Sequence, residues 1–134
     1  MFAKDINILV VDDMNTMRKI VKNSLRKLGF VNFNEAVNGV EAWKILNSGD
    51  IKFDLIVSDW NMPKMTGLEL LKKVRGEEVF KSLPFLMVTA EGEQEQIKEA
   101  IGAGVSNFLL KPFTPDSFQK KLELVYKKHN QNAA

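Results

Sequence analysis

Asp12 and Asp13 stand side by side directly after the apolar run Ile8-Leu9-Val10-Val11. Asp59 follows Leu55-Ile56-Val57-Ser58, Thr89 follows Phe85-Leu86-Met87-Val88, and Lys111 follows Phe108-Leu109-Leu110. If these runs are parallel strands of one sheet, their carboxyl ends share the edge at which open α/β sheets bind ligands. Three carboxylates, a hydroxyl and an ammonium gathered there suit a divalent cation and a phosphoryl group. Close carboxylates repel one another unless a cation or protons compensate. Oxygen donors without His or Cys favour a hard ion, and Mg²⁺ fits best because it keeps waters and accepts phosphate oxygens. An aspartate can also act as a nucleophile and form an aspartyl phosphate. Asp59, ending a strand expected to lie centrally, is the candidate acceptor.

Each of these residues has an ordinary structural use beside the chemical one. Asp12 or Asp13 can cap the following helix. The segment Trp60-Asn61-Met62-Pro63-Lys64-Met65-Thr66-Gly67 can be a turn punctuated by Pro and Gly, although its Pro63 also leaves the Asn61 carbonyl free to face a cation. Lys111, biased towards extended geometry by Pro112, can simply cover the sheet end. It can equally reach a phosphoryl oxygen or pair with Asp59. Thr89 is unremarkable at a strand terminus, yet its hydroxyl can donate to a phosphoryl oxygen. His129 stands in a polar tail and carries no expected chemistry. Trp43 and Phe118 occupy helical core spacing and read as packing, whereas Trp60 in its loop is expected to be partly exposed.

Five strands must position these residues. The first, Ile6 to Val11, is almost continuously apolar, as in a parallel strand covered on both faces. Met17, Ile20, Val21, Leu25 and Leu28 recur at threes and fours, the face of a helix that stops at Gly29. Phe33 to Val37 alternates weakly and suits an edge strand. A second helix carries Val40, Trp43 and Leu46 and ends before Gly49. Strand three is Leu55 to Asp59, and helix three carries Leu68, Leu71 and Val74. Strand four is Phe85 to Thr89, and helix four carries Ile97, Ala100 and Ile101. Strand five is Asn107 to Leu110, and helix five carries Phe118, Leu122 and Val125. From Lys127 the chain is polar and is expected to fray. Strands alternating with helices predict an α/β three-layer sandwich, a (βα)5 parallel sheet with right-handed crossovers.

Composition narrows the function. The 134 residues favour one domain spanning 1–134, with no appended output domain. Charged residues make up 27%, yet the net charge is only +2 and the lysines are interspersed with acids. No basic face for tracking nucleic acid is indicated. The absence of cysteine excludes disulfides and thiolate metal sites. No apolar run approaches the roughly 18 residues of a membrane span, and Met1-Phe2-Ala3-Lys4-Asp5 leaves no room for a signal peptide. A soluble cytoplasmic protein is expected.

Taken in order, Leu9-Val10-Val11-Asp12-Asp13, Ser58-Asp59-Trp60-Asn61-Met62-Pro63, Gly67-Leu68-Glu69-Leu70-Leu71, Val88-Thr89-Ala90-Glu91 and Lys111-Pro112-Phe113-Thr114 resemble the receiver domains of two-component response regulators. The likeness runs over essentially the whole chain and is strongest to the single-domain chemotaxis regulators. It implies a flavodoxin-like sheet in the order 2-1-3-4-5. It further implies that Asp59 takes a phosphoryl group from a phosphohistidine on a chemotaxis histidine kinase. Asp13, Asp59 and the Asn61 carbonyl would hold Mg²⁺, with Asp12 acting largely through water. Lys111 and Thr89 would contact the phosphate, and Asn61 and Glu91 would tune its lifetime. Phe108 falls at the aromatic switch position, where these regulators usually carry tyrosine; Ile97 and Lys121 lie on the same expected output face. The implied partners are the kinase, a flagellar motor switch protein and, where one exists, a dedicated phosphatase, with the chain itself a monomer that catalyses only its own phosphorylation and dephosphorylation. A relay or phosphate-sink receiver that does not act on the motor is the alternative. An aspartate-nucleophile phosphatase is more distant, because that class spaces its paired acids by one residue. A flavodoxin is equally distant, because Asp12-Asp13 would repel FMN.

Overall fold

The computed structural model describes residues 1–90 and 94–131. Five parallel strands form one sheet: β1 (Asn7–Val11), β2 (Asn32–Ala36), β3 (Leu55–Asp59), β4 (Phe85–Thr89) and β5 (Asn107–Leu110). Their order is β2-β1-β3-β4-β5. Five helices alternate with them: α1 (Asn15–Lys27), α2 (Gly39–Ser48), α3 (Gly67–Gly76), α4 (Gln94–Gly102) and α5 (Pro115–Gln131). The order of the resemblance is therefore the observed one.

Why the central strands are apolar without interruption follows from the pleat. Successive side chains point to opposite faces, and both faces are covered. Ile8 and Val10 of β1, Leu55 and Val57 of β3, and Leu86 and Val88 of β4 pack with Val21 and Leu25 of α1 and Phe118, Leu122 and Val125 of α5. Their neighbours Leu9, Val11, Ile56, Phe85 and Met87 pack on the other side with Leu46 of α2, Leu70, Leu71 and Val74 of α3, and Ala100 of α4. A one-residue slip of any central strand would exchange the two sets and bring Asp59 or Thr89 out of line with the edge.

Several expectations shift in the structure. β2 lies one residue earlier than Phe33–Val37, because Asn32 pairs with Asn7 and the ladder ends at Val11↔Ala36. Val37 is consequently exposed, and the next residue, Asn38, leaves the sheet to cap α2 through its side chain, which accepts from the Glu41 N–H at 2.9 Å. Ile20 and Ile101 turn outward from the faces assigned to them. The tail expected to fray from Lys127 is helix as far as Gln131, held by Lys128 Nζ on the Val105 carbonyl at 3.1 Å and His129 Nε2 at 2.6 Å from Ser106 Oγ, and residues 132–134 lie outside the described residues.

Candidate functional site at the carboxyl edge of the sheet

Four of the five strands end on side chains of the candidate site or hand over to them. The β1 ladder stops at Val11, and the Asp12 N–H still donates to the Ala36 carbonyl at 3.1 Å, so the acid leaves the sheet in a fixed direction. Asp12 is buried while Asp13 is exposed. The Asp12 carboxylate accepts from the Met14 N–H at 2.9 Å through Oδ1. This bond shapes the turn and does not cap α1, whose N-cap is Met14 without a side-chain cap; the other oxygen, Oδ2, faces Lys111 Nζ at 3.9 Å. Asp59 ends β3 almost fully buried, and its Oδ1 accepts from Lys111 Nζ at 3.0 Å. The Lys111 backbone N–H donates to the Thr89 carbonyl at 2.8 Å, tying the ends of β5 and β4 together beside the acids. Thr89 itself is buried at that edge.

Carboxylate oxygens of Asp12, Asp13 and Asp59 lie within 4.8 Å of one another. Three carboxylates against the single ammonium of Lys111 leave two negative charges in excess. The Asp12 carboxyl is pushed up to about 6. Burial is the main cause; the Met14 N–H opposes it, the Asp59 charge adds to it, Lys111 offsets part and Asp13 adds a little. An oxygen-only donor set with surplus negative charge and room for solvent at exposed Asp13 suits a divalent hard cation such as Mg²⁺.

The loop after Asp59 folds back against the end of β3. Trp60 donates its backbone N–H to the Val88 carbonyl at 3.1 Å and accepts from the Gly67 N–H at 2.9 Å. This closes the loop on itself, and Trp60 becomes a buried core residue; the expectation of partial exposure is wrong because both its backbone groups are drawn against the sheet. Lys64 adopts φ 67°, a left-handed conformation uncommon for a side chain with a Cβ. Thr66 and Glu69 then form a reciprocal capping box that starts α3. Gly67 has no alternative in this geometry. A Cβ there would overlap the Asp59 carbonyl oxygen and approach Met87 Sδ to 2.8 Å. Gly67→Ala is expected to destabilise the fold by roughly 1–3 kcal/mol and to displace the Asp59 backbone. A urea titration checks this; an unchanged midpoint would mean the loop yields without strain.

Asn61 is exposed in this loop. Phe108 is half-buried against the α2–α3–α4 side of the core, with Lys121 Nζ 5.0 Å from its ring centroid. Ile97 and Lys121 are both half-buried, and Lys121 also reaches Asn107 Oδ1 at 3.5 Å. Glu91 lies outside the described residues. Sequence reasoning missed Arg18, whose Nη1 donates to the Asp12 carbonyl at 2.8 Å while its Nε pairs with Glu35 of β2 at 3.0 Å. It braces the acidic turn from α1 to β2. No local spacing announces such a contact, because its two anchors come from different strands.

Comparison with known proteins agrees with this geometry. The model of the response regulator receiver domain matches residues 8–123. The chain is 50% identical over 125 residues to chemotaxis protein CheY-3 of Vibrio cholerae serotype O1, covering 93% of this chain and 95% of the relative. It is likewise 50% identical to chemotaxis protein CheY of Pseudomonas aeruginosa, covering 93% of this chain and 99% of that one. Among solved structures, Vibrio cholerae chemotaxis protein CheY4 superposes with a TM-score of 0.81 at 36% identity, over 90% of this chain and 98% of that chain.

Proposed function

The chain belongs to the response regulator receiver domain family, and from that premise we propose that Asp59 accepts a phosphoryl group from a phosphohistidine of a chemotaxis histidine kinase. The observation that carries this reading is the buried Asp59 carboxylate, held 3.0 Å from Lys111 Nζ within a cluster of two further acids. In the transfer, an Asp59 carboxylate oxygen forms a bond to phosphorus as the phosphorus–nitrogen bond of the donor breaks, leaving an acyl phosphate on Asp59 and neutral histidine on the donor. Asp12, Asp13, Asp59 and the Asn61 carbonyl would hold Mg²⁺. When bound, the ion would neutralise charge on the transferring group, the main contribution a protein site makes to this chemistry.

Lys111 has two roles in sequence. At rest it offsets the Asp59 charge; after transfer its ammonium turns to a phosphoryl oxygen. Thr89, buried at the adjacent strand end, would donate its hydroxyl to the same group. Because Lys111 is bonded to the Thr89 backbone and follows β5 directly, a change at the phosphate reaches Phe108 within three residues of chain. Small bonds that favour one of two packings are the ordinary basis of such switches.

The output proposed is binding to the flagellar motor switch protein through the surface of α4, β5 and α5 that carries Ile97, Phe108 and Lys121. The chain relates by half of its residues to proteins named for chemotaxis, which supports a motor target. A pull-down with the N-terminal peptide of the motor switch protein is expected to retain the phosphorylated chain severalfold better than the unmodified one. Equal retention would reject the motor target and favour a relay or sink receiver. That second reading draws on Phe108, which lacks the hydroxyl a partner could hydrogen-bond.

A further inference from the structure

At the opposite, amino-terminal edge of β4 and β5 lies a cleft of about 480 Å³ that phosphorylation chemistry does not use. Arg75, Lys81, Ser82, Ser106, Lys128 and His129 line it. We propose that this cleft is a binding site for a small phosphate-type dianion, held between Arg75 at the end of α3 and Lys128 and His129 at the end of α5.

The first reason is an uncompensated charge. Arg75 is half-buried, and its guanidinium donates to the Gly104 carbonyl and the Leu83 carbonyl, both at 2.7 Å, and to Ser106 Oγ at 3.4 Å. All three acceptors are neutral. Among the described residues, Lys128 Nζ likewise meets a neutral acceptor, the Val105 carbonyl, at 3.1 Å. Among the described residues no carboxylate pairs with either cation. A half-buried cation such as Arg75 without a counter-charge is unfavourable, and an anion supplied from solution removes that cost. The two positive charges of Arg75 and Lys128 favour a doubly charged oxyanion over a single carboxylate.

The second reason is His129. Its Nε2 sits 2.6 Å from Ser106 Oγ, which also accepts from the Phe85 N–H at 3.0 Å. The ring is therefore anchored to the start of β4 and β5 and cannot swing away from the cleft. Burial, then Arg75 from α3 and Lys128 on its own helix, hold its pKa below the usual histidine value, while the Ser82 backbone opposes them. Lys81, the remaining charged group at the cleft, is paired with Glu78 at 2.8 Å. An anion lodged among these cations would lower the cost of protonating His129. Dianion binding and His129 protonation must then strengthen each other, so the bound dianion raises the pH at which His129 protonates.

His129 is the only histidine in the chain, so its imidazole proton resonance can be followed without assignment by mutation. The experiment titrates inorganic phosphate, and in a second arm adenosine monophosphate, into the full chain in EDTA at constant ionic strength. EDTA keeps divalent cations from the acidic edge, and the readout belongs to the opposite one. A saturable shift is expected, together with a rise in the His129 titration midpoint. Lys128→Gln, at an exposed position, should weaken binding roughly tenfold, the effect of losing one charge-assisted hydrogen bond. Equal affinity for the two probes would assign recognition to phosphate alone, and tighter binding of the nucleotide would assign it to a phosphate carried on a small molecule. A non-saturating shift with an unmoved midpoint, or equal phosphate affinity in Lys128→Gln, would overturn the site.

Discussion

Replacing Asp12 with asparagine is expected to raise the stability of the metal-free protein by roughly 2 kcal/mol at pH 7.5 while weakening its response to Mg²⁺. The reason is the work done to keep a third carboxylate ionised in a buried cluster. The Asp12 carboxyl is pushed up to about 6, chiefly by burial and further by Asp59 and Asp13. A carboxylic acid whose folded pKa exceeds its unfolded one binds more protons in the folded state between those values. Its penalty is absent below the ordinary carboxylate range and fully present above about 6. Metal-free wild type should therefore lose stability as pH rises through the window from about 4 to about 6. Asp12→Asn removes that slope but retains an oxygen for the Met14 N–H. Mg²⁺ should raise the wild-type melting temperature, since a ligand of the folded state stabilises it by mass action, and should raise the variant's far less. Thermal melts at pH 5 and 7.5, with EDTA and with Mg²⁺, decide this; a variant less stable than wild type in EDTA at pH 7.5 would show that the cluster is not strained.

Lys111→Ala should slow phosphorylation by a small phosphodonor by about 100-fold, in line with removal of one preorganised cationic donor from a reacting oxyanion. The side chain is tied to Asp59 Oδ1 at 3.0 Å and lies 3.9 Å from Asp12 Oδ2. It is the cation that these acids contact within the described residues. Losing it leaves their repulsion unopposed and removes a donor from the phosphoryl group. Trp60 offers the readout, because it is buried next to Asp59 and its backbone is bonded to β4. A Trp43→Phe background would remove the second indole. Wild-type kinetics in Lys111→Ala would mean that the ammonium compensates charge at rest without taking part in transfer.

Much of this site was legible in the chain because the sheet is buried on both faces. Apolar runs that must be strands end abruptly, and whatever polar residue follows each is carried to the common edge. Asp12, Asp59, Thr89 and Lys111 could be placed together on that ground alone. The difference between Asp12 and Asp13 was not legible. Both follow the same strand, and it is the hydrogen bond from the Asp12 N–H to Ala36, the one its carboxylate accepts from the Met14 N–H, and the brace from Arg18 that turn one inward and leave the other in solvent. Trp60 misled for a related reason: a residue in a Pro-containing loop reads as exposed, yet its N–H and carbonyl are taken up by Val88 and Gly67. The last turn of α5 is polar in composition, which by itself predicts fraying. Contacts from Lys128 to Val105 and from His129 to Ser106, more than twenty residues apart in sequence, override that composition and create the basic cleft.

The central claim is that Asp59 accepts a phosphoryl group in a Mg²⁺-dependent reaction. Intact-mass measurement after incubation with a small phosphodonor tests it most directly. Wild type with Mg²⁺ should gain one phosphate, and wild type in EDTA or Asp59→Asn with Mg²⁺ should gain almost none. Asp59→Asn labelled as readily as wild type would contradict the account and move the acceptor elsewhere.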